Sequence, residues 1–357
     1  MAKGIKRAGI VVFALVISCL LLLGMTMTVR VTDSNDEVSL AVDTKENNEL
    51  TNTPITEYVL KGSCKEMGDL WNKAVQESID TEKQVKVVLG NDWNAVFDED
   101  IGGSTFYAGA DLIVNYIRVP VGSRVVMDLN GYDLNKGLKG TEGEGDGFII
   151  RIWGTLDLID NKYNYDDIMD IYNKYGANET QFLTALRNTD MGKLTGAVRS
   201  ANSGGAVIVD GGTFNMYGGL LIDNSAKVGG AGIAYNVGGT TTIYDGVIAN
   251  NTSTYGAGFA GANLTIHRAL ICYNKATNYG GGINGNNVKI YGGMVVRNSA
   301  GNYGGGITLS GNENIIGNAI VGYNTAVNHS GGIYFPTGAN LTINAGANVY
   351  NNKLTSN

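Results

Sequence analysis

The chain has 357 residues, a formal net charge of −7 at pH 7, and 52 glycines against only three prolines. Hydrophobic residues make up 43% of the chain, which excludes a disordered glycine-rich linker, and the acidic balance argues against nucleic acid as a partner. The glycines must therefore serve a folded backbone, where they permit tight corners and close backbone contacts.

An export segment is predicted at the start of the chain. Residues 1–7 contain three basic side chains, and residues 8–25 are uncharged and apolar. This pattern is typical of a cleaved signal peptide or of a retained N-terminal membrane anchor. We therefore expect residues 1–30 to place the rest of the chain outside the cell or on its surface, with membrane contact only through residues 8–25.

Residues 31–57 are polar and acidic without periodicity, which predicts a flexible tether. A single domain, residues 58–357, is predicted to follow. Ser63 and Glu66 have the spacing of a capping box, so we expect a helix there that caps one end of the domain. Residues 58–160 are interpreted as this cap and the first irregular coils, with strand-like runs at Val85–Leu89, Leu112–Val119, Arg124–Leu129, Phe148–Trp153 and Thr155–Ile159.

Residues 161–192 are interpreted as a helical insertion. The sequence from Tyr163 to Arg187 is acidic and has helical periodicity. Asp166 and Asp167 stand among several tyrosines, a composition suited to recognising a partner or to weak cation binding. The alternative is a solvated insertion that only packs on the domain.

Glycine motifs recur through residues 193–357. NYGGGI occurs twice, beside the looser copies SGGAV, GGAGI, YGAGF and HSGGI. The apolar residues that close these motifs are 24 or 26 residues apart: Val207, Ile233, Phe259, Ile283, Ile307 and Ile333. Two more columns keep this period, an aliphatic one (Leu221, Val247, Ile271, Val295 and Val321) and an asparagine one expected to form a structural ladder (Asn224, Asn250, Asn274, Asn298 and Asn324).

Each repeat also contains a third short strand-like run, such as TTIY or VKIY. Three short strands in one repeat, at a constant register, predict one coil of a parallel β-helix, whose backbone bonds to the neighbouring coils roughly 4.8 Å away. Similar residues then stack on themselves from coil to coil. The predicted fold is therefore all-β: a right-handed parallel β-helix, or solenoid, with an N-terminal helical cap and a helical insertion.

The motifs resemble those of a known family. Glycine motifs alternating with LIDN, VIAN, ICYN, VVRN and VGYN are similar to the right-handed parallel β-helix repeats of bacterial surface adhesins such as the polymorphic outer-membrane proteins. A closer likeness is to exported right-handed β-helix repeat proteins in which a helix containing Trp71 and coils like VVMDLNGY and TLDLIDN precede the glycine repeats. That resemblance covers about residues 64–357 and implies a β-helix. It implies little about activity, because one β-helix fold carries adhesins, lyases and hydrolases alike. Aliphatic residues also replace the phenylalanine of that family's F-x-x-N motif.

The sequence gives little support for a catalytic or metal-binding site. An enzyme acting on acidic polysaccharide needs carboxylates clustered on neighbouring coils, and neither histidine has a second metal ligand at the required spacing. We therefore predict no catalytic residue, metal site or cofactor. A polysaccharide lyase or glycoside hydrolase remains the rival function because the first half of the chain is acidic. The carboxylates of residues 203–357 are Asp210, Asp223, Asp245 and Glu313.

Aromatic columns carry the main functional prediction. One column has asparagines beside it, and in a second His267 occupies the position held by Tyr217, Tyr244 and Tyr291. Stacked rings with amides beside them suit a sugar or a protein surface, although they also stabilise a stack by themselves. We predict an adhesion module that binds glycan or a host or cell-surface protein; a structural stalk is the further alternative. The candidate binding residues are Tyr255, Tyr279, Tyr303, His329, Asn278, Asn302, Asp166 and Asp167.

Overall fold

The computed structural model describes residues 26–34, 37–45, 55–94, 116–137, 147–200, 202–235 and 238–355. These residues form two units, one ending at Ile55 and the other beginning at Thr56. The predicted export segment, residues 8–25, lies outside the described residues. Within the described ranges, no helix is both long and apolar enough to span a membrane.

The first unit contains a hairpin that takes in about half of the predicted tether, residues 31–57. Strands β1 (Thr26–Ser34) and β2 (Glu37–Lys45) pair antiparallel, with Thr26 opposite Lys45. Valine and leucine alternate with polar residues in both strands, which is the pattern of a strand and which the prediction overlooked.

The second unit consists mainly of parallel strands in three sheets. The first sheet holds sixteen strands, arranged in two rows that the long strands β21 and β24 join. Its strands are β3 (Thr56–Leu60), β4 (Gln84–Leu89), β6 (Ile117–Val119), β7 (Arg124–Asp128), β9 (Ile150–Ile152), β10 (Thr155–Ile159), β13 (Val207–Val209), β14 (Thr213–Met216), β17 (Ile233–Tyr235), β18 (Thr240–Ile243), β21 (Phe259–Ile266), β24 (Ile283–Ile290), β27 (Ile307–Ser310), β28 (Asn314–Ile316), β31 (Ile333–Tyr334) and β32 (Leu341–Ile343).

The second and third sheets hold nine and seven strands. The second comprises β5 (Trp93–Asn94), β8 (Leu134–Asn135), β11 (Lys193–Thr195), β15 (Leu220–Ile222), β19 (Val247–Ala249), β22 (Leu270–Cys272), β25 (Met294–Val296), β29 (Ile320–Gly322) and β33 (Asn348–Tyr350). The third comprises β12 (Val198–Arg199), β16 (Ser225–Ala226), β20 (Thr252–Tyr255), β23 (Lys275–Tyr279), β26 (Ser299–Ala300), β30 (Thr325–Ala326) and β34 (Lys353–Leu354).

The chain visits the sheets in a fixed order, and we call each such circuit a rung. Strands of successive rungs pair in parallel and in register, so the closing residues of the glycine motifs align as the spacing predicted. Each rung from the one that contains β9 onward has a fourth short strand, in the third sheet, beyond the three predicted. Those strands are mostly two residues long and carry no hydrophobic alternation that a sequence pattern would show. The architecture is mostly β and compatible with a parallel β-helix or solenoid.

A buried asparagine ladder fixes the register of the rungs. Each member before the last donates its backbone N–H and its Nδ2 to Oδ1 of the member on the next rung, at 2.9–3.1 Å. Each Nδ2 also donates to the carbonyl of an aliphatic residue on the preceding rung. The members are Asn224, Asn251, Asn274, Asn298, Asn324 and Asn352.

The structure corrects one predicted ladder residue, because Asn251 replaces Asn250. Asn251 is fully buried, whereas Asn250 has a positive φ of 52° and donates from Nδ2 to Asp223 at 2.7 Å. The aliphatic column shifts with it, from Val247 to Ile248, which pairs with Leu221 and Ile271 and joins the central core. One additional residue in this rung moves both positions by one.

Every ladder asparagine follows a residue in the left-handed region. These six residues have φ between 52° and 61° although none is glycine: Asp223, Asn250, Tyr273, Arg297, Tyr323 and Asn351. The left-handed backbone turns the chain sharply from the second sheet into the third and leaves the next side chain buried. Such a conformation costs roughly 1–2 kcal/mol per residue, and the hydrogen bonds of the ladder offset that cost.

The second sheet is apolar on both faces. Inward-facing residues such as Ile248 and Ile271 belong to the central core, whereas Leu220, Val247 and Leu270 face outward and are equally buried. Helices α2 (Tyr165–Tyr175) and α3 (Glu179–Arg187) cover this outer face with a second cluster that includes Ile168, Phe182 and Leu186. The helical insertion is therefore the cover of a sheet that cannot face water.

Helix α1 (Cys64–Thr81) has the predicted capping box at Ser63 and Glu66. Its buried residues Met67, Trp71 and Val75 belong to the central core, and the helix packs against β3, β4 and β7. It therefore lies against strands that come early in the stack, where the sequence predicted a cap.

The ladder generates a stability prediction. Replacing Asn274 by alanine removes the buried acceptor of the N–H of Asn251 and of one of its Nδ2 hydrogens, and it removes one donor to the carbonyl of Ile248. We expect the free energy of unfolding to fall by about 3 kcal/mol, since each unsatisfied buried group costs about 1–3 kcal/mol. Chemical denaturation followed by circular dichroism measures the change.

The matched control is Asn250→Gly, one residue outside the ladder. Glycine relieves the left-handed backbone and loses only a partly exposed hydrogen bond, so its effect should stay within about 1 kcal/mol. A larger loss for Asn250→Gly than for Asn274→Ala would show that the ladder has been assigned to the wrong residue.

Candidate binding surface along the aromatic columns

The first aromatic column consists of Tyr255, Tyr279, Tyr303 and His329, one ring per rung. Their centroids are 5.5, 5.2 and 5.0 Å apart in that order, with interplanar angles of 29°, 17° and 17°. Tyr334 also stacks on Tyr303 at 4.8 Å. The three column tyrosines are half-buried and His329 is exposed. The structure thus brings together all four predicted aromatic residues.

An outer amide column lies beside these rings and contains Asn278, Asn302 and Asn328. Asn328 donates from Nδ2 to Oδ1 of Asn302 at 2.7 Å, and Asn302 donates to Asn278 at 3.1 Å. Asn278 in turn donates to the hydroxyl of Tyr255 at 3.4 Å. These bonds run opposite in sense to those of the buried ladder, and they hold the amides as a fixed row of polar groups at the surface.

The glycines of NYGGGI place both columns on the surface. Gly280 has a φ of 63°, which a residue with a side chain rarely adopts, and it turns the chain after Tyr279. A Cβ on Gly281 would lie 2.3 Å from the carbonyl oxygen of Gly305 on the next rung. The corner is thus tight enough for the rungs to touch through backbone atoms, which sets the ring spacing.

A second aromatic column contains Tyr217, Tyr244, His267 and Tyr291. The first three rings stack almost parallel, with centroids 4.5 and 4.9 Å apart, and Tyr291 is tilted at 5.7 Å from His267. The three tyrosines are 39–43% exposed, more than those of the first column. Sequence reasoning placed these residues in one column but did not nominate them as binding residues.

Stacking restricts what either column can offer a ligand. A ring inside a stack has neighbours on both faces, so a sugar cannot stack on it and only its edge and hydroxyl remain accessible. A free face exists only at the end of a column. The columns therefore present rows of hydroxyls and ring edges along the stack.

The insertion contacts the residues that follow the second column. Tyr163 donates its hydroxyl to Asp245 at 2.7 Å, Arg268 donates from Nε to the same carboxylate at 2.6 Å, and the Arg268 guanidinium lies 4.3 Å from the Tyr165 ring. Burial, followed by the charge of Asp245, raises the pKa values of both tyrosines. Sequence reasoning missed this cluster because Tyr163 and Asp245 are 82 residues apart and Arg268 lies farther along the chain.

The other nominated residues of the insertion lie elsewhere. Asp166 and Asp167 are exposed in the first turn of α2, after the cap residue Asn164. Among the described residues, no group of three or more potential metal ligands is present. Their recognition of a partner stays a prediction.

Three of the four carboxylates of the glycine-rich rungs are engaged by arginines, and the fourth, Glu313, lies 3.8 Å from Nζ of Lys289. Asp210 pairs with Arg151, Asp245 pairs with Arg268, and Asp223 accepts two bonds of 2.7 Å from Arg187 on α3. Each carboxylate has a different arginine. These ion pairs join neighbouring segments of the chain. They differ from the two facing carboxylates that act as acid and base in a glycoside hydrolase.

A buried carboxylate in an earlier rung, that of Asp160, is held by backbone N–H groups. Asp160 accepts backbone N–H groups from Gly131 at 2.8 Å and Gly192 at 2.7 Å. Burial raises the pKa of this carboxyl despite those bonds. Asp160 thereby joins the turn at Gly131, on the preceding rung, to Gly192 at the end of the insertion.

The second column generates a pH prediction. Burial, with the nearby charge of Asp157, raises the pKa of Tyr217 to about 12, against about 10 for an unfolded tyrosine. Because the folded state disfavours the phenolate, the contribution of this phenol is complete below about pH 10 and is lost as the pH rises towards 12. We expect the stability of the wild type relative to Tyr217→Phe to fall across that window, as measured by urea unfolding at a series of pH values. A constant difference would contradict a raised pKa.

Comparisons with protein-family models, with curated proteins and with solved structures gave no match to this chain. Function must therefore be inferred from the columns, the insertion and the charges around them.

Proposed function

We propose that this chain is an exported binding module that acts at the cell surface and holds a glycan or a surface protein against its first aromatic column. The observation that carries the proposal is the row of rings and amides at that corner. Tyr255, Tyr279 and Tyr303 stack at intervals close to the spacing of the rungs, and Asn278 and Asn302 continue the row. A ligand lying along the stack meets a repeated pair of ring edge and amide.

We infer that the fold is the right-handed parallel β-helix of the surface adhesins that the repeats resemble. Parallel pairing of every rung with the next supports a solenoid. The handedness follows from the general rule that connections between parallel strands of one sheet are right-handed. Such a solenoid is rigid and long, which suits display of a ligand-binding edge away from a membrane.

The first column is favoured over the second because it combines rings with amides. Specific binding needs apolar surface together with a few fixed polar groups that orient the ligand. Asn278 and Asn302 are held by hydrogen bonds to each other, so their remaining donor and acceptor positions are already oriented. Preorganisation of this kind reduces the entropy lost on binding.

The experiment incubates the full chain with neutral and acidic polysaccharides, mucin glycans and cell-surface protein extracts, and scores binding and new chain ends in the same wells. The test variant is the double replacement Tyr279→Phe with Tyr303→Phe, which removes two hydroxyls and keeps both rings stacked. Its matched control is Tyr244→Phe with Tyr291→Phe, the same change in the second column.

We expect the first double variant to weaken binding about fivefold or more, since each hydrogen bond contributes about 0.5–1.5 kcal/mol. The control should bind as the wild type does. Loss of binding only in the control would move the site to the second column. New chain ends would replace the proposal with a lyase or hydrolase, and no binding at all would favour a structural stalk.

A further inference from the structure

Two exposed tyrosines lie face to face at the start of the second aromatic column. The ring centroids of Tyr217 and Tyr244 are 4.5 Å apart, and the ring planes differ by only 2°. Among the described residues, no other pair of tyrosine rings is closer or more nearly parallel. The two side chains are 43% and 39% exposed, so solvent and small reagents reach both ring edges.

The backbone aligns the two phenols. Tyr217 directly follows β14 and Tyr244 directly follows β18, and these strands pair in parallel with Met216 opposite Ile243. The N–H of Tyr244 donates to the carbonyl of Met216 at 2.8 Å. Parallel strands in register place equivalent side chains one above the other. The two hydroxyls therefore lie at the same end of the stack, and the ring carbons next to them face each other.

The phenol of Tyr217 keeps its proton at neutral pH. Burial, then the charge of Asp157 and the neighbouring phenol of Tyr244, raise the pKa of Tyr217 to about 12. Removal of one electron from a protonated phenol also releases the phenolic proton and leaves a neutral tyrosyl radical. The unpaired electron of such a radical resides on the oxygen and on the Cε carbons beside it, which are the facing carbons of this pair.

The surroundings favour this pair over the tyrosines of the first column. His267 stacks on the other face of Tyr244 at 4.9 Å and holds that ring over Tyr217. The exposed ends of the two rings can lean towards each other, as a bond between ring carbons requires. Tyr279 and Tyr303, by contrast, are half-buried, and their centroids are 5.2 Å apart.

We propose that Tyr217 and Tyr244 form a site of oxidative cross-linking, in which a bond between one Cε carbon of each ring joins two rungs covalently. The oxidant is hydrogen peroxide acting through a haem peroxidase. Each phenol gives up one electron and one proton, the two tyrosyl radicals couple through Cε, and the Cε hydrogens then move to the oxygens and restore two phenols. The two electrons and two protons convert one hydrogen peroxide into two waters.

The cross-link has a structural consequence. It closes a loop of chain between residues 217 and 244, which restricts the unfolded chain and thereby stabilises the folded one. The site goes beyond the proposed binding function and lies in a different column from the ligand-binding row.

The test treats the full chain, at low concentration, with a haem peroxidase and hydrogen peroxide, and records dityrosine fluorescence. Tryptic peptides are then analysed by mass spectrometry. Trypsin cleaves after Lys227, so the link joins the peptide of residues 200–227 to that of residues 228–268, with a mass two hydrogens below their sum. Tyr217→Phe and Tyr244→Phe keep both rings and remove one phenol each. Tyr291→Phe is the matched control, since Tyr291 is also 43% exposed but has His267 as its ring neighbour.

We expect the linked peptides in the wild type and in Tyr291→Phe, and their loss in Tyr217→Phe and in Tyr244→Phe. The thermal unfolding midpoint of the wild type should rise on oxidation, whereas that of oxidised Tyr244→Phe should not. Equal midpoints before oxidation would show that the variants fold; should one of the two not fold, the other carries the test.

Three results would overturn the inference: no dityrosine in the wild type under conditions that couple free N-acetyltyrosine, linked peptides that persist in both variants, or dityrosine that mainly joins separate chains. A link at Tyr217 and Tyr244 without a rise in the midpoint would contradict its stabilising role. Ligand binding through the first column depends on none of these results, so the two proposals fail separately.

Discussion

The structure depends on buried side-chain amides that each bond to two neighbouring rungs. An asparagine amide in a core is costly unless its donors and acceptor are satisfied, and here every member of the ladder uses both its Nδ2 and its Oδ1. Because the bonds join identical groups, a rung shifted by one residue would leave several of them unmade. The loops can therefore vary, and the distance between ladder members ranges from 23 to 28 residues, while the register stays fixed.

The left-handed turn before each ladder asparagine also positions side chains that hold the helical insertion. The left-handed residue before each asparagine points away from the core, and two of them, Asp223 and Tyr273, hold the insertion through Arg187 and through the carbonyl of Gly176. The helices could settle there because the second sheet has an apolar outer face. The helices of the insertion and the outer face of the sheet therefore bury each other's apolar residues.

Much of this was accessible from the sequence, and the failures have physical causes. The period, the in-register closing residues and the capping box at Ser63 were predicted, because each rests on local spacing. Asn250 was chosen over Asn251 because spacing alone does not distinguish the turn residue from the ladder residue in a doublet. The short strands of the third sheet carry no hydrophobic pattern. The contact of Tyr163 with Asp245 joins segments far apart in the chain and depends on side-chain packing that no spacing encodes.

The ladder also gives the stack a chemical direction. Every amide from Asn224 to Asn324 donates towards the rung that follows it in the chain, and Ala197 supplies the first donor to Asn224. A rung added beyond the last must therefore offer an acceptor. Two such stacks meeting through their Asn352 ends would oppose donors to donors, so the ladder could not continue across that contact.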